Sequence, residues 1–232
     1  MNVPLLAAIA QNIAAIQLRM EAACRRSGRD PQRVRLLAVS KTQPLSAVQS
    51  AVAAGQLFFG ENRVMEARDK ITALENTVQW HLIGPVQRNK ARLAAGLFQM
   101  IHSVDSLPLA RALAVGVPAG HSLPVLIQVN IGNEPQKHGV AAEEAVDLAR
   151  SMATLPSIAL RGLMAIPPQT ATGEAARPYF RALATLAREI ETLAIPNVSM
   201  AELSMGMSHD FEVAIEEGAT WVRVGSALFG ER

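Results

Sequence analysis

The chain opens with apolar residues at Leu5, Ile9, Ile13, Ile16 and Met20, three or four apart, interrupted by Gln11, Asn12 and Gln17. That spacing predicts an amphipathic helix over 1–24 laid against a core. Beyond it, two kinds of segment alternate. Short apolar runs, often β-branched and ending in small or polar residues, predict strands over 35–41, 57–61, 80–84, 100–104, 124–130, 160–166, 202–205 and 221–225. Longer stretches with helical periodicity predict helices over 45–54, 63–74, 86–95, 106–116, 141–155, 173–194 and 208–217.

Strands that alternate with helices pair in parallel through crossovers. Eight such units predict an α/β fold, a (β/α)8 TIM barrel with an extra N-terminal helix, as one domain over 1–232. A doubly wound open sheet is the competing layout. The absence of GxGxxG after the first strand weighs against its dinucleotide-binding form. Pro167-Pro168 with Gly173 reads as a loop after the sixth strand, not as a domain boundary.

Composition narrows the class. Half of the 232 residues are hydrophobic and 18% are charged, too apolar and too lightly charged for a disordered chain. The net charge is +2, aromatic residues are 4%, and there is no basic run, which argues against nucleic acid as a partner. A lone cysteine, Cys24, excludes an intrachain disulfide and fits a reducing compartment. The N-terminal segment lacks a basic n-region, and no uninterrupted apolar run reaches the roughly 18 residues of a membrane span. A cytoplasmic protein with no membrane partner is the expectation. Nothing suggests a large exposed apolar face, so a monomer is expected as well.

In a barrel of this kind, chemistry sits at the C-terminal ends of the strands. The first strand ends Val39-Ser40-Lys41-Thr42. A lysine there is costly unless used: burial lowers an ammonium pKa and yields an amine nucleophile, as Schiff-base chemistry requires. The bland alternative is a lysine that snorkels to solvent at the rim. The last two strands end Ser204-Met205-Gly206 and Val224-Gly225-Ser226, small residues whose amides and hydroxyls can hold a phosphate, or that simply make tight turns. Ser208 reads instead as a helix cap, with Asp210 and Glu212 in its first turn. Arg223, inside a strand, needs an anion or acceptor for its donors. It serves either to keep a pyridine nitrogen unprotonated or to pair with Glu202 or Glu61. Asn62 fits a ring-hydroxyl contact or an N-cap equally. The five histidines show no metal-ligand spacing, and the methionines read as packing.

Taken in order, several runs resemble the pyridoxal 5′-phosphate (PLP) homeostasis family, single-domain barrels related to the N-terminal domain of alanine racemase. They are Leu36-Leu37-Ala38-Val39-Ser40-Lys41-Thr42, Phe59-Gly60-Glu61-Asn62 and Trp80-His81-Leu82-Ile83-Gly84-Pro85. Ile101-His102-Ser103-Val104-Asp105, Arg161-Gly162-Leu163-Met164, Leu203-Ser204-Met205-Gly206-Met207-Ser208 and Val222-Arg223-Val224-Gly225-Ser226 continue the match. The resemblance implies PLP as cofactor, held as a Schiff base on Lys41. It also implies phosphate contacts from Ser204, Gly225 and Ser226 with Gly206 in the same loop, Arg223 near the ring nitrogen, and Asn62 beside the cofactor. It implies a carrier and regulator of PLP rather than an enzyme, with PLP-dependent apoenzymes as candidate recipients. The alternative is a PLP-dependent racemase or lyase of the alanine racemase type. Two departures stand out: Arg63 follows Asn62 where members commonly carry Tyr, and Gln136 and His138 flank Lys137 where members usually have Ser. They put the loop after the fifth strand, and any role of Lys137, in question.

Overall fold

Every strand segment pairs in parallel with the next one in sequence, and the eighth returns to the first, so the sheet closes in the order β1 to β8. The computed structural model describes residues 3–74 and 77–230; the first two residues of the predicted N-terminal helix lie outside them. The strands are β1 (Arg35–Val39), β2 (Phe58–Glu61), β3 (Gln79–Leu82), β4 (Met100–Val104), β5 (Leu123–Val129), β6 (Ile158–Ala165), β7 (Val198–Ser204) and β8 (Trp221–Val224). The helices are α1 (Val3–Ser27), α2 (Leu45–Ala53), α3 (Val64–Ala73), α4 (Ala91–Leu97), α5 (Leu107–Ala114), α6 (Ala145–Met152), α7 (Arg177–Thr192), α8 (Phe211–Glu216) and α9 (Ser226–Phe229). The expected (β/α)8 barrel with an additional N-terminal helix is therefore what forms.

Strand alternation divides the buried residues into two layers. Leu37, Met100, Leu126, Met164 and Trp221 pack together inside the barrel, with Phe58 and Ile83 against them. Their sequence neighbours Leu36, Ala38, Phe59, Trp80, Leu82, Ile101 and Val222 face outward and pack with the helices. Because Val222 and Val224 are outward, Arg223 between them is inward, level with Leu37 across the β1–β8 seam.

Several element boundaries differ from the sequence pattern, each for a local reason. β1 stops at Val39, and Ser40-Lys41-Thr42 turn away with Thr42 at φ 62°. The predicted helix over 86–95 begins later, as a 3-10 turn over Arg88–Lys90 leading into α4, because Gln87 is extended at ψ 133°. The predicted 173–194 helix starts with a 3-10 turn, and Pro178 sits in the first turn of α7, where a missing N–H is harmless. Ser208 does not cap α8; the cap position is Asp210.

Among the described helices, α1 is long and apolar enough to cross a membrane by length and composition, which the sequence pattern had not suggested. Its stripe of Ile9, Ile13, Ile16, Met20 and Ala23 is instead buried, with α1 packed against α2, α8 and α9. Asn12 adds a hydrogen bond from Nδ2 to the Leu228 carbonyl at 2.9 Å.

Candidate functional site

Inside the barrel, a polar chain crosses from β3 to β8. His81 Nδ1 lies 3.0 Å from His102 Nε2, and His102 Nδ1 lies 2.8 Å from Ser204 Oγ. Arg223 Nη1 donates to the same Ser204 oxygen at 2.8 Å, and its Nη2 donates to the Ala165 carbonyl at 2.9 Å. Ser204 accepts from Arg223 in either tautomer of His102: it donates to His102 Nδ1 while His102 Nε2 donates to His81 Nδ1, or it accepts from His102 Nδ1 while His81 Nδ1 donates to His102 Nε2.

Burial sets the charges along this chain. Desolvation pushes His81 down to about 3 and His102 well below the usual imidazole range, with neighbouring cations adding to the effect. Both rings are neutral at physiological pH. Desolvation also lowers Arg223, to about 10, opposed by the Asp210 carboxylate, so the guanidinium keeps its charge. Neither acid proposed as its ion-pair partner reaches it. Glu202 is bound by Arg35 and by the Thr220 hydroxyl, and Glu61 by Lys70 and Ser40. No carboxylate pairs with Arg223 among the described residues; its bonds go to one hydroxyl and one carbonyl.

Above this chain lies the mouth of the barrel. Lys41 is half-buried in the turn that follows β1. Asn62 follows β2 but does not cap α3, whose cap position is Arg63, and its carboxamide makes no hydrogen bond among the described residues. Gly84, at the exit of β3, permits the close approach: a Cβ there would stand 2.3 Å from the Asn62 carbonyl oxygen. Asn62 also opens onto a cleft of about 750 Å³ lined by Arg63, Val86, Lys90, Asp105 and His138. Lys137, in the loop after β5, is tied to Glu134 at 2.6 Å and to the Pro167 carbonyl at 2.9 Å.

The ends of β7 and β8 meet beside β1. Gly225 lies against Val39, 3.4 Å from its carbonyl oxygen to an ideal Cβ position, and Ser226 opens α9. The hydroxyl expected at this place from β7, that of Ser204, is buried lower down in the polar chain. Ser208 takes its position instead: Ser226 Oγ and the Ala227 N–H both reach the Ser208 oxygen, at 3.1 and 3.3 Å. Gly206 carries the turn between them at φ +90°, and its carbonyl accepts from the Arg223 N–H at 3.0 Å. A Cβ at Gly206 would sit 2.5 Å from Ala214.

The mouth therefore brings together Lys41, Asn62, Gly225 and Ser226, with Arg223 beneath them, while Ser204 serves Arg223. Sequence reasoning passed over His81, His102 and Lys70, and offered Glu61 only as a partner for Arg223. The signal for the histidines was their parity: both occupy inward positions on adjacent strands, His81 two residues before Ile83 and His102 two residues after Met100. The signal for Lys70 was its place at helical spacing with buried Val64 and Ala67.

This alternating β/α barrel belongs to the alanine racemase N-terminal domain family, whose model matches residues 6–232. The chain belongs to the pyridoxal phosphate homeostasis protein family. It is 48% identical over 226 residues to the pyridoxal phosphate homeostasis protein of Pseudomonas aeruginosa, covering 97% of this chain and 96% of that one. It is 43% identical over 229 residues to the protein of the same name from Escherichia coli, covering 97% of each. PipY of Synechococcus elongatus, solved with PLP bound, superposes with a TM-score of 0.82 at 39% identity, covering 96% of this chain and all (100%) of that one.

Proposed function

We propose that the chain binds PLP at the C-terminal mouth of the barrel, through Lys41, and holds and releases it as part of vitamin B6 homeostasis. The observation that carries this reading is Arg223. It is a buried guanidinium with no carboxylate bonded to it, joined through Ser204 to the neutral imidazole of His102. A fixed cation of this kind disfavours a proton on a ring nitrogen placed near it.

The remaining residues fit the same group. Asn62 offers an unengaged carboxamide to a ring hydroxyl. Ser226, Ser208 and the Gly225 segment offer hydroxyls and amides to a phosphate. Asn62 and Ser226 lie on opposite sides of Lys41 around the barrel, since β2 and β8 are the two neighbours of β1. When bound, the cofactor supplies an electrophilic aldehyde. The chain's own part is to present an amine to it, hold the phosphate and keep the ring nitrogen neutral.

The acid/base inventory supports a carrier role rather than turnover. Racemisation needs two groups on opposite faces of the reacting carbon. The single tyrosine, Tyr179, lies on α7 in the helical layer, and His81 and His102 are held neutral and hydrogen-bonded within the barrel. PLP-dependent apoenzymes are the class of recipient that this role requires, and a monomer suffices for it.

The test combines a titration with an exchange experiment. The apo-protein is titrated with PLP and followed by absorption, then mixed with a PLP-dependent apoenzyme whose activity is monitored. The loaded protein is also incubated with amino acids in deuterated water. We expect a yellow band, reactivation of the apoenzyme and no α-proton exchange. Exchange that is lost in Lys41→Ala supports a racemase or lyase instead, and no band at all overturns the reading.

A further inference from the structure

Behind Lys41, on the outer side of the barrel wall, lies a buried polar cluster that the cofactor reading does not use. Ser40, Glu61 and Lys70 are all buried. Ser40 Oγ donates to Glu61 Oε1 at 2.7 Å, and Lys70 Nζ donates to the same oxygen at 2.8 Å. The other Glu61 oxygen is buried with no hydrogen-bond partner among the described residues. Such a pair is an expensive way to join a helix to a strand, because desolvating two charges offsets most of their attraction and well-packed apolar residues do the same work.

Its third contact suggests what the pair is for. Lys70 Nζ also donates to the Ser40 carbonyl at 2.8 Å. That carbonyl belongs to the peptide group immediately before Lys41. One turn earlier on α3, Glu66 Oε1 accepts the Thr42 N–H at 2.5 Å. That N–H belongs to the peptide group immediately after Lys41. Lys70 and Glu66 also face each other at 3.4 Å. Both peptide planes that flank the Lys41 Cα are thus pinned by side chains from a single face of one helix.

The turn needs holding. Thr42 is a β-branched residue at φ 62°, a left-handed conformation that persists only where the surroundings over-determine it. Orientation of reacting groups is a large contributor to rate, and small misplacements are costly.

We propose that Lys70 and Glu66 are positioning residues that aim Lys41 into the barrel mouth by fixing the peptide groups on either side of it. This rests on Lys41 being the amine that takes up the cofactor. Neither residue touches the cofactor; both act through the backbone of Lys41.

The test uses the full chain as Lys70→Met and, separately, Glu66→Ala. Lys70→Met leaves Glu61 free to take a proton, since burial already raises its pKa. Glu66 is partly exposed, so its removal leaves the core untouched should Lys70→Met fail to fold. For each folded variant, PLP is added and the protein is quenched with borohydride at intervals, with the phosphopyridoxyl label on Lys41 quantified by peptide mapping. The circular dichroism of the cofactor band is recorded at equal occupancy. We expect labelling of Lys41 to slow by about tenfold in each variant, within the range that misplaced reacting groups show. We also expect altered cofactor dichroism, which a merely structural tie would not move. Labelling and dichroism equal to the wild type in a folded variant overturn the proposal. A wild-type protein unlabelled at Lys41 overturns the cofactor reading itself, which separates the two failures.

Discussion

Arg223 Nη1 donates to Ser204 Oγ across the β7–β8 corner at 2.8 Å, and this bond decides the role of both residues. It withdraws the Ser204 hydroxyl from the barrel mouth and fixes the one cation in the inner polar chain. The neutral imidazole of His102 on the other side of Ser204 leaves that positive charge uncompensated by any bonded carboxylate.

Replacing Arg223 with Gln keeps a donor for Ser204 while removing the charge. The loss of a charge-assisted bond costs about 1–3 kcal/mol of stability, measurable by denaturant unfolding. With PLP bound, the absorption band is expected to change its position and pH response, because the ring nitrogen can then take a proton. A band identical to the wild type's places Arg223 away from the ring.

The two histidines make the fold acid-sensitive. His81 falls from the usual 6.5 to about 3 on folding, so the unfolded chain binds a proton that the folded chain refuses. The associated stability is fully present above the unfolded-state value and is lost as pH falls from about 6.5 toward 3. At pH 5 the expected loss is about 2 kcal/mol for His81, and His102 adds to it in the same direction. Glu61 and Asp210 have pKa values raised by burial and act in the opposite sense from the ordinary carboxylate range upward, offsetting part of this loss. Unfolding free energies that stay flat between pH 7 and about pH 5 contradict buried neutral histidines.

Two glycines at the phosphate end separate structural need from ligand need. Gly206→Ala puts a side chain at φ +90° and against Ala214 at 2.5 Å. A loss of about 2–4 kcal/mol follows from strain and overlap together. Gly225→Ala meets nothing nearer than 3.4 Å and leaves the apo-protein's melting temperature unchanged. We expect that variant to bind PLP more weakly, read by absorption titration. Undiminished affinity removes Gly225 from the phosphate contacts.

The barrel was legible because alternation along eight strands and periodicity along the intervening helices are both local patterns. β7 was the exception: its early residues Val198-Ser199-Met200-Ala201 form no long apolar run and only Met200 of them is buried, so the strand there is defined by pairing with β6. Lys41 and Arg223 stood out because a charge in an apolar strand run is conspicuous on one line of sequence. The His81–His102–Ser204 chain was not visible, since it depends on register between β3 and β4 and on β7 facing them across the barrel interior. Likewise, the choice between Ser204 and Ser208 turned on which way the backbone left β7, and the left-handed turn at Gly206 sends Ser208, not Ser204, toward Ser226.

The central claim, that Lys41 is the amine that holds the cofactor, is tested most directly by loading the protein with PLP, reducing with borohydride and mapping the modified peptide. The expected result is a single phosphopyridoxyl group on Lys41. The same label on Lys70, Lys90 or Lys137, or none on any lysine of the chain, contradicts it.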